Sequence, residues 1–246
     1  MKIGTTESFI LDSIRENGTL CFPLIDSQNQ VNTSSIVKLE HLGATAILIG
    51  GSSVSDQIEL STVVSNIKPL VKIPVILFPG NITGIVPGAD AILFSSLLNS
   101  ENPYYITGAQ AQGALIIKKY NLEAIPTAYL IIGQGSTAWF IGQTRSIPFD
   151  KSGIAVMYAL AAQYMGMRFL YLEAGSGSSA YVCPEMISSV RAHFDGILIV
   201  GGGITDAETA VTIANAGADI LVVGTLIEKK NDWEEQFSKI VSSIRK

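Results

Sequence analysis

Three segments between residues 169 and 225 decide the fold: FLYLEAGSG (169–177), GILIVGGGIT (196–205) and DILVVGT (219–225). Each opens with an almost unbroken run of Ile, Leu, Val or aromatic residues, as expected of a parallel strand buried on both faces. Each then breaks into glycine. Working outward, five more runs of this kind come earlier: LCFPLI (20–25), TAILIG (45–50), PVILF (74–78), AILF (91–94) and TAYLII (127–132). With FLYLEA (169–174), GILIV (196–200) and DILVVG (219–224), eight strands are predicted.

Helical periods with recognisable ends separate several of these runs. Asn32–Thr33–Ser34 opens one helix and Gly43 closes it. Ser152 opens another, with Ile154, Met157, Leu160, Ala161 and Tyr164 on one stripe and Gly166 at its end. Thr205–Asp206 opens a third, closed by Gly217, and Pro184 stands where a first helical turn accepts proline. Alternating strands and helices joined by right-handed crossovers leave two architectures, a closed barrel and an open doubly wound sheet. Eight strands, with the glycine turns late in the chain instead of after the first strand, favour an α/β protein of the (β/α)8 TIM-barrel type. The segment Asn81–Gly88 is too short and too rich in Pro and Gly for a helix, so one crossover is expected to be irregular. No linker or low-complexity stretch interrupts the pattern, and residues 1–246 read as one barrel domain.

The chain of 246 residues is 48% hydrophobic and 15% charged, which supplies a large core and argues against disorder. Sixteen basic against 21 acidic residues give a net charge of −5, and no Lys/Arg run marks a nucleic-acid surface or polybasic membrane patch. An anionic ligand would have to be held by backbone N–H groups and helix ends. Two cysteines, Cys21 and Cys183, offer neither a disulfide framework nor metal-ligand spacing and suit a reduced cytoplasm. The opening MKIGTTESFILDSIRENG reads as an amphipathic helix, not a signal peptide. The uncharged stretch Ala124–Thr144 is broken by Pro126, Gly133 and Gly135, so a soluble protein with at most peripheral membrane contact is expected.

In a barrel the carboxyl ends of the strands meet on one face, where active sites form. Three glycine turns follow strands six to eight: YLEAGSG (171–177), GGGIT (201–205) and GT (224–225). They bring backbone donors and the start of a helix together, and Ser176 and Thr225 add hydroxyls. One such turn is ordinary; three in succession predict a phosphate site. Glu173 ends strand six beside it. Either it accepts hydrogen bonds from substrate hydroxyls and draws a proton from one, or it is a rim acid paired with Arg168 or Arg191. Tyr171 shares its strand face and either binds substrate or fills the mouth of the core. Asp26 ends strand one and Ser52 strand two. Alone Asp26 reads as a cap or loop acid; beside a phosphate site the pair suits Mg²⁺, which takes few protein oxygens and completes its shell with water and phosphate. His41, His193 and Cys183 read as structural. The long segment Gln134–Lys151, with Trp139, Phe140, Arg145 and Lys151, either covers the site or makes a subunit contact.

The run YALAAQYMGMRFLYLEAGSG (158–177), followed by IVGGGIT (199–205) and VVGT (222–225), resembles the geranylgeranylglyceryl phosphate synthase family, whose bacterial relatives are the heptaprenylglyceryl phosphate synthases. LID (24–26), IGGS (49–52), FPGN (78–81), ADAILFSSLLNSENPYYITG (89–108) and IPTAYLIIGQGSTAWFIG (125–142) extend the similarity over nearly the whole chain. The strand-five region is similar to the second of the family's two groups, commonly hexameric. The resemblance implies a prenyltransferase that joins the C3 hydroxyl of sn-glycerol 1-phosphate to geranylgeranyl diphosphate with Mg²⁺, in a homo-oligomer, hexamer or dimer. By position, Asp26 and Ser52 match the family's metal-binding residues. Tyr171, Leu172, Glu173, Ala174, Gly175, Ser176 and Gly177, with Gly202, Gly203, Gly224 and Thr225, match its glycerol phosphate site. Glu173 and Tyr171 are the candidate catalytic residues, and the segment Leu97–Ile106 is the expected lining for a prenyl chain. Three departures concern diphosphate contacts and chain length: Ser27–Gln28–Asn29 stands where the family has Pro-Asp-Lys, Thr225 where Asn is common, and Tyr104 or Tyr105 where Trp is usual.

Two other readings share the phosphate loops. A phosphosugar isomerase or indole-glycerol-type synthase would carry acid–base residues at several strand ends and often a catalytic lysine, and few strands here end in ionisable groups. A non-catalytic phosphate-binding barrel would need neither Mg²⁺ nor a prenyl diphosphate.

Overall fold

The computed structural model describes residues 2–27, 33–51, 56–229 and 231–246. Eight parallel strands close into a barrel in chain order: β1 (Leu20–Ile25), β2 (Ile47–Gly51), β3 (Val75–Pro79), β4 (Ala91–Leu97), β5 (Glu123–Ile131), β6 (Phe169–Glu173), β7 (Ile197–Gly201) and β8 (Ile220–Val223). Closure is made by β1 on β8, with Leu20, Cys21, Phe22 and Pro23 opposite Ile220, Leu221, Val222 and Val223. All eight apolar runs of the sequence are strands, shifted by a few residues at their ends.

The pleat sorts each run into two cores. Leu20, Phe22, Leu48, Ile76, Leu93, Phe169, Tyr171 and Ile199 fill the barrel interior. Their neighbours Cys21, Ile47, Ile49, Leu77, Leu170, Leu172 and Leu198 point outward into the layer beneath the helices. That outer layer is covered by α2 (Thr33–His41), α3 (Gln57–Ile67), α4 (Ala109–Lys119), α6 (Ser152–Tyr164), α7 (Pro184–Arg191), α8 (Ala207–Asn215) and, after the short α9 (Thr225–Lys229), α10 (Trp233–Ile244). Asp56 caps α3, accepting from the N–H groups of Ile58 and Glu59, and Asp206 caps α8 through Thr209.

The helix α1 (Thr5–Asn17) closes the amino end of the barrel. Ile10 enters the inner core, and Glu7, almost wholly buried, receives Arg168 Nη2 at 2.6 Å. Glu123 accepts the backbone N–H groups of Thr6 and Glu7 at 2.7 and 2.9 Å, tying the helix to β5.

The crossover from β3 to β4 has no α-helix, only a single 3-10 turn at Ile82–Gly84, as its Pro- and Gly-rich sequence foretold. Between β5 and α6 the long loop folds into the short α5 (Thr137–Ile141). Asn99 holds this loop, donating to the carbonyls of Ile131 at 3.0 Å and Arg145 at 3.2 Å. On α6 the expected apolar stripe faces outward: Met157 and Tyr164 are exposed, and Ala155, Ala159 and Ala162 make the buried face. Small residues let that helix lie close to the strands, which leaves the large ones on its far side. No helix among the described residues is long and apolar enough to cross a membrane.

Candidate active site

At the carboxyl ends of β6, β7 and β8 a pocket is lined by Tyr171, Glu173, Ser176, Gly177, Ser178, Gly202, Gly203, Ile204, Thr205, Gly224 and Thr225, with Leu24 and Val222 at its base. No Lys or Arg lines it among the described residues. The polar groups around it are the hydroxyls and the backbone of turns in which Gly177, Gly202 and Gly203 have positive φ. Ser176 Oγ lies 3.3 Å from Thr225 Oγ1, so the loops after β6 and β8 meet across it. The start of α8 follows directly from Thr205. Such an arrangement, an anion hole without fixed cations, suits a phosphate.

Of the sequence-derived residues, Leu172 and Ala174 turn their side chains into the outer core and Gly175 lies behind the wall, while the other eight line the pocket. Ser178, Ile204 and Thr205 were not anticipated. Their only sequence signal is adjacency to the glycine turns.

Glu173 is buried and pairs with neither Arg168 nor Arg191. Arg168 is held by Glu7, and Arg191 by Asp219 at 2.9 Å. The rim-pair alternative is thereby removed. Glu173 Oε1 accepts the Gly175 N–H at 2.6 Å. Burial pushes its carboxyl above the usual range, opposed by the Tyr171 hydroxyl and the Gly175 N–H beside it. The Tyr171 hydroxyl is fully enclosed and finds no hydrogen-bond partner of normal geometry among the described residues. Burial, and then the charge of Glu173, raise this phenol well above its ordinary value. The enclosed phenol and the buried carboxylate stand side by side, and the carboxylate borders both the pocket and the recess next to it.

Asp26, half-buried at the end of β1, stands over the end of β2: a β-carbon on Gly51 would come within 2.9 Å of Asp26 Oδ1. Ser52 lies outside the described residues. Among those described, no group of three His, Cys, Asp or Glu side chains comes together.

A second recess adjoins the pocket, sharing Leu24, Glu173 and Ser176 with it and adding Gly51, Phe78, Pro79, Gly80, Tyr129, Thr137 and Ala138. Pro79, Gly80, Tyr129 and Ala138 in turn border an apolar cleft. That cleft runs between the helix-free crossover (Ile82, Ile85), β4 (Ile92, Phe94, Leu97) and α4 (Ile117), with Tyr105 and Ile141 on its walls. Leu97 and Tyr105 come from the segment expected to line a prenyl chain; the rest of the cleft is shared among the crossover, the body of β4, α4 and the loop after β5. Arg145 and Lys151 line none of these cavities. Phe78, Tyr129 and Tyr171 sit where the cavities meet, with ring centroids 5.2–5.3 Å apart. Sequence reading had not singled out Phe78 or Tyr129.

Comparison with known proteins gives the chain its family. Over 246 residues the chain is 56% identical to a geranylgeranylglyceryl phosphate synthase of Cenarchaeum symbiosum (strain A), covering 98% of this chain and 99% of that protein. It is 58% identical over 226 residues to the protein of the same name from Nitrosopumilus maritimus (strain SCM1), covering 91% and 90%. The crystal structure of (S)-3-O-geranylgeranylglyceryl phosphate synthase from Thermoplasma acidophilum, in complex with substrate sn-glycerol-1-phosphate, superposes with a TM-score of 0.93 at 38% identity over 99% of each chain. The PcrB family model matches residues 13–244, and this chain belongs to the PcrB family.

Proposed function

We propose that this protein is a prenyltransferase that joins the C3 hydroxyl of sn-glycerol 1-phosphate to geranylgeranyl diphosphate, giving 3-O-geranylgeranyl-sn-glyceryl 1-phosphate and diphosphate. The observation that supports this most is that a pocket framed by glycine turns and hydroxyls meets an apolar cleft through a recess bordered by Glu173. A phosphosugar isomerase has no use for the cleft.

In this reading the amides around Gly202, Gly203 and Gly177, with Ser176 and Thr225, hold the phosphate of glycerol phosphate. Tyr171 and Glu173 orient its hydroxyls. Fixing both reactants in one recess replaces an encounter in water by an aligned approach of hydroxyl oxygen to allylic carbon. The raised affinity of Glu173 for a proton makes it the acceptor for the hydroxyl proton as the ether bond forms.

Mg²⁺ belongs to the proposal. A hard cation takes oxygen ligands, and the Asp26 carboxylate beside Gly51, a residue that borders a recess lined by no basic side chain among the described residues, fits one held largely by substrate oxygens. Ser52 is the second protein ligand the reading assigns. The ion would supply charge neutralisation at the diphosphate. A homo-oligomer also belongs to it, formed through outward apolar residues such as Met157, Tyr164 and Met165 on and just after α6. The two unpaired cysteines accord with a cytoplasmic setting.

The test is incubation with sn-glycerol 1-phosphate, geranylgeranyl diphosphate and Mg²⁺, reading pyrophosphate release and the ether product by mass spectrometry. Equimolar pyrophosphate and ether are expected, dependent on Mg²⁺. Absence of both would end the reading.

A further inference from the structure

We propose that the rings of Phe78 and Tyr129 form the seat for positive charge on the allylic carbon during transfer, which makes both of them catalytic residues; this rests on the prenyltransferase reading above. Their position carries the inference. The recess that joins the phosphate pocket to the apolar cleft is where the first carbon of a prenyl diphosphate must lie if its chain fills the cleft and its acceptor sits beside Glu173. Phe78 and Tyr129 both line that recess, and both are half-buried, with surface left toward it.

The two ring planes stand at 86° with centroids 5.3 Å apart, forming a corner. Tyr171 backs it, stacked on Phe78 at 5.3 Å and 20° and meeting Tyr129 edge-on at 5.2 Å. This backing fixes both rings without occupying the recess. Burial holds the Tyr129 phenol well above its ordinary pKa, so its ring is neutral at working pH.

The chemistry requires such a seat. As the allylic C–O bond breaks, its electron pair leaves on the diphosphate and positive charge spreads over the first and third carbons. The glycerol hydroxyl gives an oxygen electron pair to the first carbon and its proton to the Glu173 carboxylate. A neutral alcohol is a weak nucleophile, so charge develops before the new bond is complete. Among the described residues that line the recess, Glu173 is the one carboxylate, and it is committed to the alcohol. Aromatic faces attract a cation most strongly where water is excluded.

The experiment compares two inhibitors in the presence of pyrophosphate: a prenyl analogue with a charged nitrogen at the first carbon, and its neutral isostere. Wild-type protein and Tyr129→Phe should prefer the charged analogue by about tenfold or more. Tyr129→Leu and Phe78→Leu should lose most of that preference. Their kcat should fall about 5- to 30-fold, with the KM for prenyl diphosphate little changed. Fluorinating the ring at position 129 in Tyr129→Phe protein keeps its shape and weakens its negative face, and kcat should drop stepwise with each fluorine. Normal transfer with an unaltered preference in the Leu variants and no response to fluorination would overturn this inference alone. No transfer by wild-type protein would remove it together with the reading on which it rests.

Discussion

The α-carbon of Gly202 rests against the Glu173 carboxylate, so that a β-carbon there would stand 2.8 Å from Oε1 and 2.6 Å from the Gly175 nitrogen. With φ at +88°, the position also excludes most side chains on backbone grounds. Gly202→Ala should therefore cost about 1–3 kcal/mol in urea unfolding and lower kcat/KM for glycerol phosphate by about 100-fold. An alanine variant with wild-type turnover would mean that this wall does not shape the bound substrate.

Glu173→Gln separates activity from stability. The amide keeps an oxygen for the Gly175 N–H but cannot take a proton, so transfer should fall by about 10²–10⁴. Burial raises the native carboxyl above its unfolded value, so the native state holds its proton more tightly. Wild-type stability should therefore decline as pH rises from the ordinary glutamate range through that raised value, then level off. The variant should lack this decline and melt higher at neutral pH. The acid limb of the wild-type rate profile should lie above the ordinary glutamate range. Thermal melts and rate profiles across pH 4–8, a range of about four units around that step, check both signs.

Breaking the Glu7–Arg168 pair at the far end of the barrel should do the reverse. Glu7 is 2% and Arg168 24% exposed, so Arg168→Met strands a buried carboxylate and should cost roughly 3 kcal/mol. Arg168 precedes β6 and Glu173 ends it, about 17 Å away, so both KM values should stay within about twofold of wild type. A large KM change would show that the closed end of the barrel is coupled to its mouth.

The Asp26 assignment predicts a selective defect. Asp26→Asn should raise the Mg²⁺ concentration needed for half-maximal rate and the KM for prenyl diphosphate by about tenfold or more, leaving glycerol phosphate binding by calorimetry nearly unchanged. An equal loss of both substrates would remove Asp26 from the metal site.

The exposed face of α6 gives a last prediction. Met157→Glu with Tyr164→Glu places two charges on a surface where large apolar groups meet solvent. Sedimentation should show a smaller species than wild type at equal concentration. An unchanged sedimentation coefficient would exclude this face from the assembly.

The barrel was legible because continuous Val/Ile/Leu runs have one common use in an alternating chain, and the missing crossover helix showed itself in Pro79, Gly80, Gly84, Pro87 and Gly88. The phosphate pocket was legible through its glycines, which mark places where no β-carbon fits. Residues whose role depends on direction were not. Leu172 lies between Tyr171 and Glu173 in sequence yet faces the opposite side of the sheet. Phe78 and Tyr129 are ordinary strand aromatics until closure brings β3, β5 and β6 around one opening. On α6, periodicity gave the stripe but not its sign, because alanines, not the larger residues, satisfied the close packing.

The helix-free stretch between β3 and β4 has a consequence for how such a catalyst can change. An α-helix with its side chains occupies a cylinder about 10 Å across, and here the crossover has none and borders an apolar cleft instead. In the proposed reaction, the room for the guest's tail is bounded in part by a peripheral segment that shares no residue with the glycine turns. Lengthening or shortening that segment can retune the tail accepted while the head-group chemistry stays intact, so one scaffold can serve membranes of different thickness without reinventing its reaction.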